Sequence, residues 1–132
     1  MLAATTVEDL QSHLGEELGV SDWHTVDQRD IGWFVEMPGD RQWIYTLALI
    51  PMLMGQVLSL QGFGCVMNYG LNQVRFPAPL PVGERVRLRL SLEAIATRPG
   101  SSDITLLCSL ECPGQEKPVC VAESVLRVFD LR

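Results

Sequence analysis

Thr46-Leu47-Ala48-Leu49-Ile50-Pro51-Met52-Leu53-Met54-Gly55-Gln56-Val57-Leu58-Ser59-Leu60 is apolar on every side, and the fold turns on how that run is read. A helix on a protein surface keeps one polar face toward water, whereas a helix that is apolar all round is enclosed. The run therefore predicts a buried helix over Thr46–Leu60, kinked at Pro51, where the ring removes a donor and meets the preceding turn. The other reading places Pro51 in the first turn of a shorter helix after an extended piece. Pro51 and Gln56 interrupt the run, and it is too short to span a bilayer.

The residues downstream supply what would enclose it. From Gly64 onward the apolar period changes to two. Val86, Leu88, Leu90 and Leu92 alternate with Arg85, Arg87, Arg89 and Ser91, which predicts a long strand with one apolar and one charged face. Ile104, Leu106, Cys108 and Leu110 repeat the pattern, blurred by Leu107, and Val119 to Phe129 reads as a last strand. Arg98 to Asp103 and Pro113 to Pro118 are the turns between them. Cys65 to Tyr69 and Gln73 to Phe76 are strand-like and are broken at Gly70. Strands joined this way form an antiparallel meander. One wholly apolar helix followed by such strands predicts an α+β domain whose sheet wraps the helix.

Upstream, Thr5 followed by Glu8 is a capping-box signature. Val7, Leu10, Leu14 and Leu18 continue it as one stripe of an amphipathic helix. Ser21 to Val26 reads as a short strand. Thr25 and Gln28 cap a second helix with Ile31, Phe34 and Val35 on its buried face, ended by Pro38 and Gly39.

The chain has 132 residues, 47% of them hydrophobic and 20% charged, which fits one globular domain over 1–132 and excludes wholesale disorder. A net charge of −6 repels a phosphate backbone and argues against nucleic acid as a partner. No basic segment precedes an apolar stretch at the start, so the sequence predicts no signal peptide, no membrane association and a cytoplasmic protein. The 4 cysteines form no Cys-x-x-Cys pair, and only 2 histidines accompany them. Buried, reduced thiols are the expectation, with no metal and no cofactor.

Asn68-Tyr69-Gly70-Leu71-Asn72-Gln73-Val74-Arg75-Phe76-Pro77-Ala78-Pro79-Leu80-Pro81-Val82-Gly83 resembles the signature of the MaoC-like, (R)-specific enoyl-CoA hydratase/dehydratase family. Ser21-Asp22-Trp23 and Gly39-Asp40-Arg41-Gln42-Trp43-Ile44 resemble that family's first strand and catalytic loop, and Lys117 to Glu123 its final strand. The resemblance covers nearly the whole chain. It implies a single hotdog domain, a curved antiparallel sheet around one central helix that carries a proline. It also implies a homodimer, and as ligand an acyl-CoA or acyl-carrier-protein thioester or a similar apolar small molecule.

Adding water across an enoyl thioester needs a base for the water, an acid for carbon and donors for the carbonyl oxygen. The family places an Asp and a His five positions apart in one loop, and binds the carbonyl with backbone amides at the start of the central helix. Asp40 falls on that Asp, but Tyr45 stands where the His belongs and runs directly into Thr46. The segment that would carry the carbonyl-binding amides is absent. The resemblance thus implies Asp40 and Tyr45 as catalytic residues of a rebuilt site. Thr46, Leu47, Asn68, Asn72 and Arg75 are its substrate contacts. A tyrosine with a pKa near 10 is a poor base at neutral pH, although a phenol donates well.

Plainer roles compete for the same residues. Asp40 after Gly39 is also a turn residue, and Tyr45 is also an apolar plug in the space the His left. Arg85, Arg87 and Arg89 form a solvated face more readily than a clamp for CoA phosphate. Trp23, Trp33 and Trp43 fit packing positions. Two functions follow. One is an acyl-thioester enzyme of the hydratase class, its ordinary activity lost or repurposed. The other is a non-catalytic dimeric hotdog that binds an apolar or acyl ligand or serves as a scaffold.

Overall fold

In the computed structural model, which describes residues 1–27, 29 and 41–130, the alternating segments build one antiparallel sheet. Its strands are β2 (Glu17–Val20), β3 (His24–Thr25), β5 (Cys65–Arg75), β6 (Arg85–Arg98), β7 (Ser101–Glu111) and β8 (Cys120–Phe129). The order across the sheet is β2-β6-β7-β8-β5, and β3 pairs with the start of β6. Val86, Leu88, Leu90 and Leu92 are all at most 1% exposed, as are Ile104, Leu106, Cys108 and Leu110 on the neighbouring strand. Each leucine so enclosed contributes about 1.5–3 kcal/mol relative to an exposed one. Leu107 belongs to the opposite, outward face, which is why it interrupts the apolar alternation.

The β6–β7 hairpin is tighter than the sequence predicts, because Arg98 and Ser101 already pair with each other. Pro99 and Gly100 alone make the turn. Proline presets the first central position, and Gly100 takes a φ of 83° that a side chain would resist. The outward face of this hairpin carries the charges. Arg87 and Arg89 both bond Glu111, at 2.6 and 3.0 Å, and Arg89 also reaches Glu17. Arg127 bonds Asp103 at 2.7 Å. Arg85 and Arg87 lie over the Trp23 ring, 5.4 and 4.3 Å from its centre. Carboxylates thus engage Arg87 and Arg89, while Arg85 is spent on packing.

The central helix, α2 (Arg41–Met54), starts and stops earlier than Thr46–Leu60. Gly55 ends the regular turns, and Leu58–Leu60 becomes a short strand, β4, that pairs in parallel with β1 (Leu2–Ala4). Pro51 lies inside the helix. Tyr45, Leu49, Ile50 and Leu53 are buried against the sheet, but Ala48, Pro51 and Met52 are exposed. The helix is therefore enclosed on one side only in the single chain, and its other side is apolar and open. The Asp22 amide donates to Gln56 Oε1 at 2.9 Å, tying the chain just past the helix to the link between β2 and β3.

The first helix, α1 (Val7–Gln11), is a shorter element than the apolar stripe predicts. Its cap is Thr6, and Asp9 supplies the return bond of the capping box in place of Thr5 and Glu8. Leu10 is fully buried, whereas Leu14 is half exposed and Leu18 sits in β2. The second predicted helix, with Ile31, Phe34 and Val35, lies outside the described residues, as do Pro38, Gly39 and Asp40. Ser21 to Val26 contracts to the two-residue β3.

All four cysteines are unpaired. Cys108, Cys112 and Cys120 are buried, and desolvation pushes the Cys108 thiol up to about 12 and Cys120 to about 11. They are protonated and inert at neutral pH. Cys65 departs from the expectation: it is exposed at the start of the edge strand β5.

Candidate functional site

Strand β5 is where the sheet departs from regular alternation. The sequence predicts a break at Gly70, but the strand runs through Cys65–Arg75, with Tyr69 as the extra residue between Asn68 and the paired Gly70. Its pairing with β8 shifts between Asn68 and Gly70 and again between Asn72 and Arg75. Each shift adds residues to one strand and re-aims the side chains that follow. Gln73 adopts a positive φ of 51° within the second shift. The core face of β8 also changes there. Cys120, Leu126 and Val128 fill their positions, but Ala122 and Ser124 between them are small. Small side chains at that level withhold volume from the core.

The withheld volume is a cavity of about 280 Å³ between the helix and the sheet. The helix contributes Leu47, Ile50, Pro51 and Met54 to its wall. The sheet contributes Asn68, Gly70, Leu71 and Ser124. Most of this wall is apolar, with the amide of Asn68 and the hydroxyl of Ser124 as its polar side-chain groups. Pro51 has no N–H to offer the Leu47 carbonyl, so a helical bond is missing where the helix borders the cavity. Of its lining residues, Pro51 on the helix and Asn68, Gly70 and Leu71 on β5 are exposed.

The structure brings together two of the sequence-derived contacts, Leu47 and Asn68. Asn72 and Arg75 stand further along β5, opposite Glu123 and Val121, and neither lines the cavity. Thr46 is buried at 2% exposure and lies inside α2. With the helix beginning at Arg41, Thr46 and Leu47 are past its first turn, so their amides are not at its free end. Tyr45 is 3% exposed and packs in the hydrophobic core. Asp40 lies outside the described residues. His13 contacts Glu16 at 3.2 Å on the surface, and His24 pairs with Val86 on β3; neither lines the cavity.

Ile50 and Met54, and with them Pro51, Gly70, Leu71 and Ser124, line the cavity without having been site candidates from sequence. The first two look like any core residue of an apolar helix. For Ser124 the signal was present: a small polar residue, two positions from Ala122, in a ladder of larger apolar side chains.

A sheet wrapped over one face of a proline-bearing helix, with a cavity between them, defines a hotdog domain. Solved structures agree. The MaoC-like dehydratase from Rhodospirillum rubrum superposes with a TM-score of 0.70 at 17% identity, over 90% of this chain and 94% of that one. The (R)-hydratase from A. caviae superposes at 0.58 with 17% identity, over 89% and 97%. No protein-family profile matches the sequence. In sequence, the 3-hydroxyacyl-thioester dehydratase Z of Mycobacterium tuberculosis is 39% identical over 92% of this chain and 95% of its own length. The chain belongs to the MaoC-like hotdog family, the family of that dehydratase. No helix among the described residues is long and apolar enough to cross a membrane.

Proposed function

We propose that this protein binds an acyl thioester in the cavity between α2, β5 and β8, and that ordinary enoyl hydration has been lost. Any turnover that survives rests on Asp40 as base and Tyr45 as phenolic donor. The observation that carries the reading is the cavity itself, apolar in most of its wall and open at one end, in a chain close in sequence to a dehydratase of 3-hydroxyacyl thioesters. A volume near 280 Å³ suits a short acyl chain, with the carrier, CoA or acyl carrier protein, left outside.

The loss of hydration is supported from two directions. The aligned span with the dehydratase is 143 positions, longer than the 132 residues of this chain, which is consistent with a segment missing inside it. The buried position of Tyr45 in the core favours its role as a plug over that of an exposed catalytic group. Losing a general acid–base partner costs about 10²–10⁴-fold, and losing an oxyanion donor about 10²–10³-fold. The buried Tyr45 also favours the second reading, a non-catalytic binding protein.

The protein acts as a homodimer in this proposal. Strand β5 has β8 as its one partner among the described residues, so its other edge offers unpaired backbone groups to a second copy. Val66, Met67, Tyr69 and Leu71 are each at least 40% exposed there. A second copy would cover this surface and the Met52 side of the helix together.

Calorimetric titration with butyryl-CoA tests the binding claim. Saturable binding with one site per chain is expected, abolished by Leu71→Glu, which places a charge in the cavity wall. Failure of the unmodified protein to bind any short acyl-CoA or acyl carrier protein thioester would remove the proposal.

A further inference from the structure

The first register shift decides which side chains of β5 reach the cavity. Up to Asn68, which pairs with Leu126, the two strands match residue for residue. Gly70 then pairs with Val125, so Tyr69 is the extra residue. Because side chains alternate, a slip of one residue exchanges the two faces of a strand. Without the shift Leu71 would oppose Glu123 on the outward face. With it, Leu71 opposes Ser124 on the core face and lines the cavity. Glycine does not impose this shift: Gly70 has no positive φ, and an added Cβ would meet nothing within 4 Å. The extra side chain does have an anchor. The Arg127 guanidinium lies 3.8 Å from the centre of the Tyr69 ring, a cation–π contact. Arg127 is fixed in turn from the next strand, where its Nε and Nη2 donate to the two Asp103 carboxylate oxygens at 2.7 and 3.1 Å. Such a planar fork holds its partner in one orientation. Arg98 bonds Asp103 as well. The row Asp103, Arg127 and Tyr69 thus crosses β7, β8 and β5 on the side of the sheet opposite the cavity.

We infer that Tyr69, gripped by Arg127, is a positioning residue for the cavity: the stack holds β5 in the shifted register that turns Leu71 toward the bound acyl chain. The inference rests on the acyl-thioester reading and deepens it. Neither Tyr69 nor Arg127 lines the cavity, so both act through the backbone between Asn68 and Leu71. The unshifted register would keep the strands paired but would set Asn72, opposite Ala122, on the core face in place of Leu71. An amide would then replace an apolar part of the wall. A ligand that binds only the shifted register loses affinity in proportion to the fraction of chains that abandon it.

The test is calorimetric titration of butyryl-CoA into the unmodified protein and a set of variants. Tyr69→Ala and Arg127→Leu should each weaken binding about 2- to 30-fold, the span of a cation–π contact from exposed to desolvated. Combined, they should weaken it no further than the stronger of the two, because they remove one shared contact. Tyr69→Phe keeps the ring and should bind within about 2-fold of the unmodified protein. Ile104→Val, a core truncation away from the cavity, should also bind within about 2-fold although it lowers stability, which separates register from stability. Light scattering should give every variant the mass of the unmodified protein. Full affinity in Tyr69→Ala, or single losses that add in the double variant, would overturn the assignment while leaving the acyl-thioester reading intact. A loss of binding that comes only with a lower mass would also overturn it, and would assign Tyr69 to self-association. Failure of the unmodified protein to bind any short acyl thioester would overturn that reading and this inference with it.

Discussion

Strands β8 and β5 lie side by side in one sheet and obey different rules. Along β8 every second residue is buried, without exception from Cys120 to Phe129. Along β5 every residue except Val74 is exposed, although Val66, Met67, Tyr69 and Leu71 are as apolar as anything in β8. The difference comes from neighbours, not composition. β8 is paired on both edges and covered by the helix, so alternation is enforced. β5 is paired on one edge, kinked by two register shifts and opposed to a cavity. Apolar residues that the monomer does not cover mark the surface on which ligand and second copy are proposed to sit.

That contrast is sharpened most by truncating one side chain in each region. Leu90→Ala, in the fully enclosed ladder of β6, should cost about 2–5 kcal/mol of stability. Val66→Ala on β5 should cost under about 1 kcal/mol in the isolated chain, because little apolar area is removed from water there. Urea unfolding of both variants measures this. Equal losses would mean that β5 is as well covered as β6.

The second way to press the comparison is through the open edge. Light scattering at micromolar concentration should give a dimer mass. Met67→Lys, a charge on the exposed edge strand, should return a monomer with its far-ultraviolet spectrum unchanged. A monomeric unmodified protein would detach the exposure of β5 from self-association.

A smaller effect separates two parts of the outward face by pH. Hydrogen bonds from Arg89 and then Arg87 hold the Glu111 carboxyl below its usual range, and Arg127 does the same for Asp103. A carboxyl depressed in the folded state stabilises the fold above its unfolded pKa near 4, and that stability is lost as pH falls through the folded value. Glu93 has the opposite sign: desolvation raises it, helped by the Glu123 charge. Its contribution is present below the unfolded pKa and lost as pH rises through the folded one. Glu111→Gln should therefore flatten the acid limb of stability against pH, whereas Glu93→Gln should be more stable than the parent at neutral pH. Thermal melts across pH 3–8 read both.

The regions also differ in how much of them the sequence disclosed. The ladders of β6, β7 and β8 were legible because alternation and burial have the same cause when both edges of a strand are paired. The family resemblance carried the fold further, through Asn68 to Gly83. The helix limits were misplaced because Leu58 and Leu60 are apolar for a different reason, pairing beside β1. Turn lengths erred where Pro99-Gly100 sufficed alone. Of the site, Leu47 and Asn68 were read from the family pattern. Ser124 was not, although the alternation of β8 already made it the small polar side chain in an apolar ladder. Asn72 and Arg75 share the motif but flank the second register shift, which no periodicity reveals.

The central claim is that a family site stripped of its acid–base partner still binds but no longer hydrates. Crotonyl-CoA hydration by the purified protein tests it most directly, followed as loss of the enoyl thioester absorbance. The account predicts no rate above the uncatalysed background for the unmodified protein. Tyr45→His should give none either, because in the proposed reading the carbonyl-binding segment is absent as well. Robust hydration by the unmodified protein, abolished by Asp40→Asn, would contradict the account and place a working oxyanion site where this chain is shortest.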